Sequence, residues 1–541
     1  MLTTTTGLSA ACVPSSFSGL AVFGAELVSV NTALVTNYSA SVPPGPRLTQ
    51  PPIEVRNATF CNVTVTYTHP GQGDNIIVET WLPIENPTWN DRLQAAGGGG
   101  WAAGRFATMY MTMQGALGDG YATTTTDAGL GYSEDPTDWA LASPGNVDWY
   151  KFNNFGSVSL NDQAIISKSL IKSFYGTGPV FSYWNGCSQG GRQGVMLAQR
   201  YPDAYDGISV GAPALYISRL CPAVFWPQQV MNMRGEYPYR CEMDAITAAA
   251  VTACDGLDGL VDGLISDPDL CLAKFDPRPL VGTPVPHCQQ AGNRTVEISA
   301  AAVAVANATW HGVVSASGAR TWYGLGPGSD ISTDPGAVAA TNCTSGTCIG
   351  SPQPVSLGWI VPFLGKGAPN FDISRLTHAE FDKLMHIGRQ IYRSAIDTDD
   401  PDLSEFRDAG GKMVSFHGLW DTIVPPQNTR HYYNQVAAVL PDVHDFYRHY
   451  EVPGLAHCYG SVSGQPTSLF DQLRAWVENG TAPEETPVNV TVSDGGTQQR
   501  ILCPYPQRYN YDQKRCRGHG HADASCWVCT AGPADEGLIT P

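Results

Sequence analysis

Apolar and polar positions change their rhythm several times along this chain, and each rhythm predicts an element. Residues 74–82 and 121–126 read as strands, while Ala95-Ala96-Gly97-Gly98-Gly99-Gly100-Trp101 between them must be a loop, because four consecutive glycines suit no regular structure. Further on, Ile166, Leu170 and Phe174 recur four apart, which predicts a helix over residues 160–174. A short apolar strand at 180–184 leads straight into Gly186-Cys187-Ser188-Gln189-Gly190-Gly191-Arg192. A helix at 195–201 and a strand at 207–210 follow. From about 213 to 403 this alternation gives way to cysteines, prolines and Asp-Gly turns, so the span reads as an insertion. Alternation resumes with a strand at 412–417, a helix at 427–439, a strand at 447–452 and a helix at 469–478. Strands and helices alternating on both sides of an insertion predict an α/β fold with a mostly parallel sheet. The expected division is a catalytic domain of residues 1–212 and 404–541 and an inserted domain of 213–403.

Composition narrows the class. The chain has 541 residues, 43% hydrophobic and only 15% charged, which suits a packed globular protein and excludes a disordered one. Its net charge of −18 would repel phosphate backbones and anionic membrane surfaces, so nucleic acid and membrane are not expected partners. Fifteen cysteines accompany Asn-x-Ser/Thr sequons at Asn37, Asn57, Asn62, Asn293, Asn307, Asn342, Asn479 and Asn489, a combination that points to the oxidising secretory route. The opening Met-Leu-Thr-Thr-Thr-Thr-Gly is not a signal peptide, so the chain reads as processed or re-started. No apolar stretch nears the ~20 residues a membrane span needs. A secreted, extracellular, soluble protein is expected.

The candidate chemistry centres on Ser188. Strand, Gly-x-Ser-x-Gly and helix in succession form a nucleophile elbow, a tight turn that only small neighbours permit. A serine hydroxyl needs a histidine to take its proton, and that histidine needs a carboxylate to fix its tautomer. In this fold the order is serine, acid, histidine. Asp421 follows the strand at 412–417 and His457 follows the strand at 447–452, so each sits where a strand end delivers it. His417 is the rival base, but it precedes the acid. The oxyanion of a tetrahedral intermediate needs two donors. The backbone N–H of Gln189 is one candidate, and the glycine run offers the other at Gly98 or Gly99.

The Cys187-Ser188 and His457-Cys458 pairs, with Asp421 between them, resemble the tannase and feruloyl esterase family, and fungal members in particular. The likeness extends to the glycine loop, Thr125-Thr126-Asp127-Ala128-Gly129, Phe174-Tyr175-Gly176, residues 418–421 and residues 453–458. It implies an α/β-hydrolase core with a lid inserted before the acid, hydrolysis of phenolic acid esters through an acyl-enzyme, and a Cys187–Cys458 disulfide. Ferulic esters, in a small molecule or a plant cell-wall fragment, are the first substrate expectation. Galloyl esters are the second, and a non-catalytic hydrolase-fold binding module is the alternative. Three aspartates in Cys254-Asp255-Gly256-Leu257-Asp258-Gly259-Leu260-Val261-Asp262-Gly263-Leu264 suit a hard, oxygen-seeking cation. The resemblance makes that a structural Ca²⁺ held by the side chains of Asp255, Asp258 and Asp262 and the carbonyls of Leu260 and Leu264. Further disulfides are expected for Cys254 with Cys271, Cys12 with Cys61, Cys241 with Cys288, Cys343 with Cys348, and Cys503 with Cys526. Cys221, Cys516 and Cys529 are left without partners. The lid aromatics Phe225, Trp226, Trp322, Tyr323 and Trp359 are candidates to stack on a phenolic ring.

Overall fold

A computed structural model of the chain describes residues 5–333, 336–492, 495–512, 514–516 and 523–532. Nine strands build the central sheet: β1 (Glu26–Val42), β2 (Ile53–Thr68), β3 (Ile76–Glu85), β4 (Arg92–Ala96), β5 (Ala122–Thr126), β6 (Phe181–Cys187), β7 (Gly207–Gly211), β8 (Lys412–Gly418) and β9 (Tyr447–Val452). Their order is β1-β2-β3-β5-β4-β6-β7-β8-β9. The first three are antiparallel to their neighbours, and every pairing from β5 to β9 is parallel. β7 and β9 are buried along nearly their whole length because helices cover both faces of a parallel sheet.

Four connecting helices position the site. Ser159–Tyr175 ends at Gly176, whose φ of 83° supplies the left-handed cap that stops a helix. Gln189–Arg200 follows β6, Gln427–Val439 follows β8, and Leu469–Asn479 closes the α/β run. The β1–β2 hairpin was not foreseen, since β1 is exposed or half-buried almost throughout and its sequence therefore lacks an apolar stripe.

The insertion supplies no strand to the central sheet. Its strands form separate two-stranded ribbons, and most of its regular structure is helical. The helix Ile217–Arg234 runs through Pro222 and Pro227, which locally conceal it from a reading by propensity. Antiparallel ribbons near the C-terminus, Thr486–Thr491 with Thr497–Leu502 and Gln507–Tyr511 with Trp527–Ala531, complete the described chain.

Candidate active site

Ser188 stands between the end of β6 and the first turn of the helix Gln189–Arg200, at φ 58° and ψ −118°. A non-glycine residue pays about 1–3 kcal/mol for such a conformation and holds it only where its surroundings over-determine it. Here they do. The Ser188 N–H donates to Gly211 O at 2.9 Å, and its carbonyl accepts from the N–H groups of Arg192 at 2.9 Å and Ala214 at 3.1 Å. A methyl group on Gly186 would collide with Gly190 O, and one on Gly190 would lie 2.8 Å from Gly98 O. Only glycines let these backbones meet. Gln189, at the first helical position, has an N–H with no preceding helical carbonyl to bond.

The candidate acid and base lie on loops after β8 and β9. His457 Nδ1 stands 2.7 Å from Asp421 Oδ2, while Asp421 Oδ1 accepts the N–H groups of Ile423 and Val424, each at 2.8 Å. Asp421 is fully buried. Burial alone would raise its pKa, but His457 and His417 outweigh it and hold the carboxyl well below the usual carboxylate range. His417 is buried against the same carboxylate, its Nε2 3.2 Å from Asp421 Oδ2 and 3.0 Å from Val424 O, and its Nδ1 2.8 Å from Thr429 Oγ1. Sequence reasoning weighed His417 as a rival base and missed this place beside the acid.

The glycine loop corrects one expectation. Gly98 and Gly99 reach the cavity wall, but the Gly98 N–H donates to Gln193 Oε1 at 2.7 Å and the Gly99 N–H to Ala102 O at 3.1 Å. Both are engaged, because Gln193 pins the loop to the nucleophile helix and Gly99 closes a tight turn with Ala102. Gly100 sits in that turn at φ 54°, and among the described residues its N–H has no bonded acceptor.

Ser188, Gln189, Gly100 and His457 all face one cavity of about 400 Å³. The lid closes it with Ile217, Leu220, Val224 and Val355. None of Phe225, Trp226, Trp322, Tyr323 and Trp359 lines it, which corrects the expected stacking set. Those rings form the lid's own packing: Trp226 lies on Phe381 with centroids 5.6 Å apart, and Trp322 on Tyr216 at 4.9 Å. Trp359 instead stacks on Trp101 of the glycine loop at 6.1 Å, and the Trp101 indole N–H donates to Val355 O at 3.0 Å. The lid thus grips the loop that carries the candidate donors.

Comparison with known proteins agrees with this geometry. The family model described as "Tannase and feruloyl esterase" matches residues 61–525. The chain belongs to the tannase and feruloyl esterase family. A probable feruloyl esterase of Arthroderma benhamiae is 36% identical over 89% of this chain and 88% of its own length. The tannase of Aspergillus oryzae is 31% identical over 83% of each. The solved tannin acyl hydrolase from Aspergillus niger superposes with a TM-score of 0.83 at 28% identity, covering 98% of this chain and 95% of its own. Family membership makes the protein a carboxylic ester hydrolase with an α/β-hydrolase core.

A disulfide joins Cys187, next to the serine, to Cys458, next to the histidine. Both sulfurs and a His457 ring nitrogen lie within 4.8 Å of one another. The structure also pairs Cys12 with Cys61, Cys241 with Cys288, Cys254 with Cys271, and Cys343 with Cys348. The expected Cys503–Cys526 pair is wrong. Cys503 bonds Cys529 and Cys516 bonds Cys526, because the ribbon register sets Cys529 opposite Tyr509 and carries it toward Cys503. Cys221 is a buried free thiol.

In the aspartate loop, Asp255 Oδ1 accepts the N–H groups of Asp262, Gly263 and Leu264 at 2.9, 2.9 and 3.2 Å. Asp258 Oδ1 accepts from Leu260 N at 3.0 Å, and Asp262 Oδ2 meets Arg500 Nη2 at 2.6 Å. Asp262 Oδ1 also accepts from Leu264 N at 3.1 Å, and Ser266 bonds the Asp258 carboxylate. The loop offers hard oxygens of the kind Ca²⁺ takes, although in this structure ligand oxygens of the three carboxylates do not gather within 4.8 Å of one another.

Proposed function

We propose that the protein is a secreted serine esterase that cleaves phenolic acid esters, ferulic esters first, with Ser188, His457 and Asp421 as its triad. The observation that carries this reading is the His457 Nδ1 to Asp421 Oδ2 contact at 2.7 Å beside the cavity that holds Ser188. With Nδ1–H donating to the carboxylate, Nε2 keeps the lone pair that a general base needs. Ser188 Oγ attacks the ester carbonyl as Nε2 takes its proton. The N–H groups of Gln189 and Gly100 receive the oxyanion, and the alcohol leaves with the proton returned from Nε2. Water then enters by the same route and releases the acid. Asp421, held below the usual carboxylate range, stays ionised throughout and keeps the His457 ring oriented. The names of the relatives, probable feruloyl esterase and tannase, support phenolic esters as the substrate class. The disulfides and the sequons support secretion. No described helix is long and apolar enough to cross a membrane.

Rates on methyl ferulate, methyl p-coumarate and methyl gallate test the substrate class, and Ser188→Ala tests the nucleophile. The variant is expected to lose at least about 10⁴-fold in kcat. A Ser188→Ala protein that still cleaves these esters would overturn the reading.

The loop 255–264 is proposed to hold a structural Ca²⁺ through Asp255, Asp258 and Asp262 with the carbonyls of Leu260 and Leu264. It is bracketed by the Cys254–Cys271 bridge and is remote in sequence from Ser188, Asp421 and His457. An ion that binds only the folded state stabilises it by mass action. Chelation should therefore lower Tm, and added calcium should restore it. Elemental analysis that finds no calcium, with a Tm indifferent to chelator, would remove the site.

A further inference from the structure

Among the described residues, Glu134 is the one carboxylate on the cavity wall, and no lysine or arginine shares that wall. It lies in the loop that follows β5, and its side chain packs over the Gly99–Gly100 turn. A methyl group placed on Gly100 would meet Glu134 Cβ and Oε1 at 3.4 Å, and one on Gly99 would lie 3.6 Å from Oε1. The nearby Arg105 does not neutralise it, since its guanidinium is bonded to Glu79 and Asp127. Among the described residues no donor is bonded to the Glu134 carboxylate. The residue as a whole is exposed at the rim, yet burial raises its pKa, and no partner acts in the opposite direction. Water solvates its exposed part, and what distinguishes it is its place: among the described residues it is the one carboxylate on an otherwise mostly apolar wall, beside the Gly99–Gly100 turn, where a ligand in the cavity meets it.

We propose that Glu134 is a specificity-determining residue that accepts hydrogen bonds from the hydroxyls of the substrate's phenolic ring. This rests on the phenolic ester reading above and sharpens it. Two adjacent ring hydroxyls can both donate to one carboxylate, each bond being charge-assisted. Methylating those hydroxyls removes the donors and leaves the carboxylate desolvated without compensation. Rings that keep a free hydroxyl, as a ferulic ring does, are therefore favoured over fully methylated rings, and acyl groups that carry their own carboxylate are disfavoured.

The test compares two pairs of esters that differ only in methylation: methyl gallate with methyl trimethoxybenzoate, and methyl caffeate with methyl dimethoxycinnamate. Within each pair the ratio of kcat/KM, hydroxylated over methylated, is independent of how much enzyme is active. Glu134→Ala is expected to lower that ratio about 10- to 100-fold in at least one pair, mainly through KM, as loss of hydrogen bonds to a charged group does. Glu134→Gln should lower it less, since the amide oxygen still accepts, and it reads the same ratio if the alanine variant does not fold. Ratios in both pairs that stay within about twofold of the wild-type values would overturn the proposal. Wild-type enzyme that cleaves p-nitrophenyl acetate but none of the four esters would instead overturn the phenolic reading, and this proposal with it.

Discussion

The two walls of the cavity are built on different principles. On the core side, the candidate catalytic groups are fixed by backbone placement: Ser188 in a left-handed turn, Cys458 at φ 61°, and glycines at 97, 98, 186 and 190 where any side chain would collide with a neighbour. On the lid side, Ile217, Leu220, Val224 and Val355 contribute replaceable apolar surface. The difference teaches that the proposed bond-breaking apparatus has little freedom to vary, whereas the fit to an acyl group can change by ordinary side-chain substitution. Trp101 joins the two, belonging to the glycine loop yet stacked against the lid's Trp359.

Breaking the core wall should have the larger effect. The Cys187–Cys458 bridge spans 271 positions, and in the loop-entropy model such a tie destabilises the unfolded chain by about 5 kcal/mol. Its loss should also be felt in the chemistry, because displacements of about 1 Å between reacting groups can cost 10²-fold. The double change Cys187→Ala with Cys458→Ala is expected to leave a folded protein with kcat reduced about 10²-fold. Full activity in that variant, measured on methyl ferulate, would show that the bridge does not position the histidine loop.

The lid wall offers the milder perturbation. Leu220→Ala removes apolar contact from the cavity and is expected to change kcat/KM by about 10-fold, unequally among acyl groups. A uniform fall in kcat across ferulic, p-coumaric and gallic esters would mean instead that the lid helix Ile217–Arg234 supports the chemistry itself.

Much of the core wall was legible in the sequence, and the reason is physical. Short apolar-rich runs mark most of the sheet, although β9 buries Arg448 and His449 and β5 buries four threonines, and the turns after such strands deliver functional groups, so Ser188, Asp421 and His457 could be nominated by order and context alone. Elsewhere the local signal was missing. The β1–β2 hairpin exposes one long edge strand whose Thr, Ser and Asn residues imitate a loop. The Gly98 N–H could be seen as engaged only when Gln193 was folded against it. The lid aromatics looked like ligands for a phenolic ring, but large rings also fill lid cores, and these do. Cysteine pairing near the C-terminus depends on ribbon register, which spacing does not encode.

The central claim is that Ser188 carries the acyl group. Mass analysis of acid-quenched enzyme turning over methyl ferulate tests it most directly. The account predicts a feruloyl adduct on the peptide that contains Ser188, absent in Ser188→Ala and absent from every other peptide. Turnover with no adduct on that peptide, or an adduct on another residue, would contradict it.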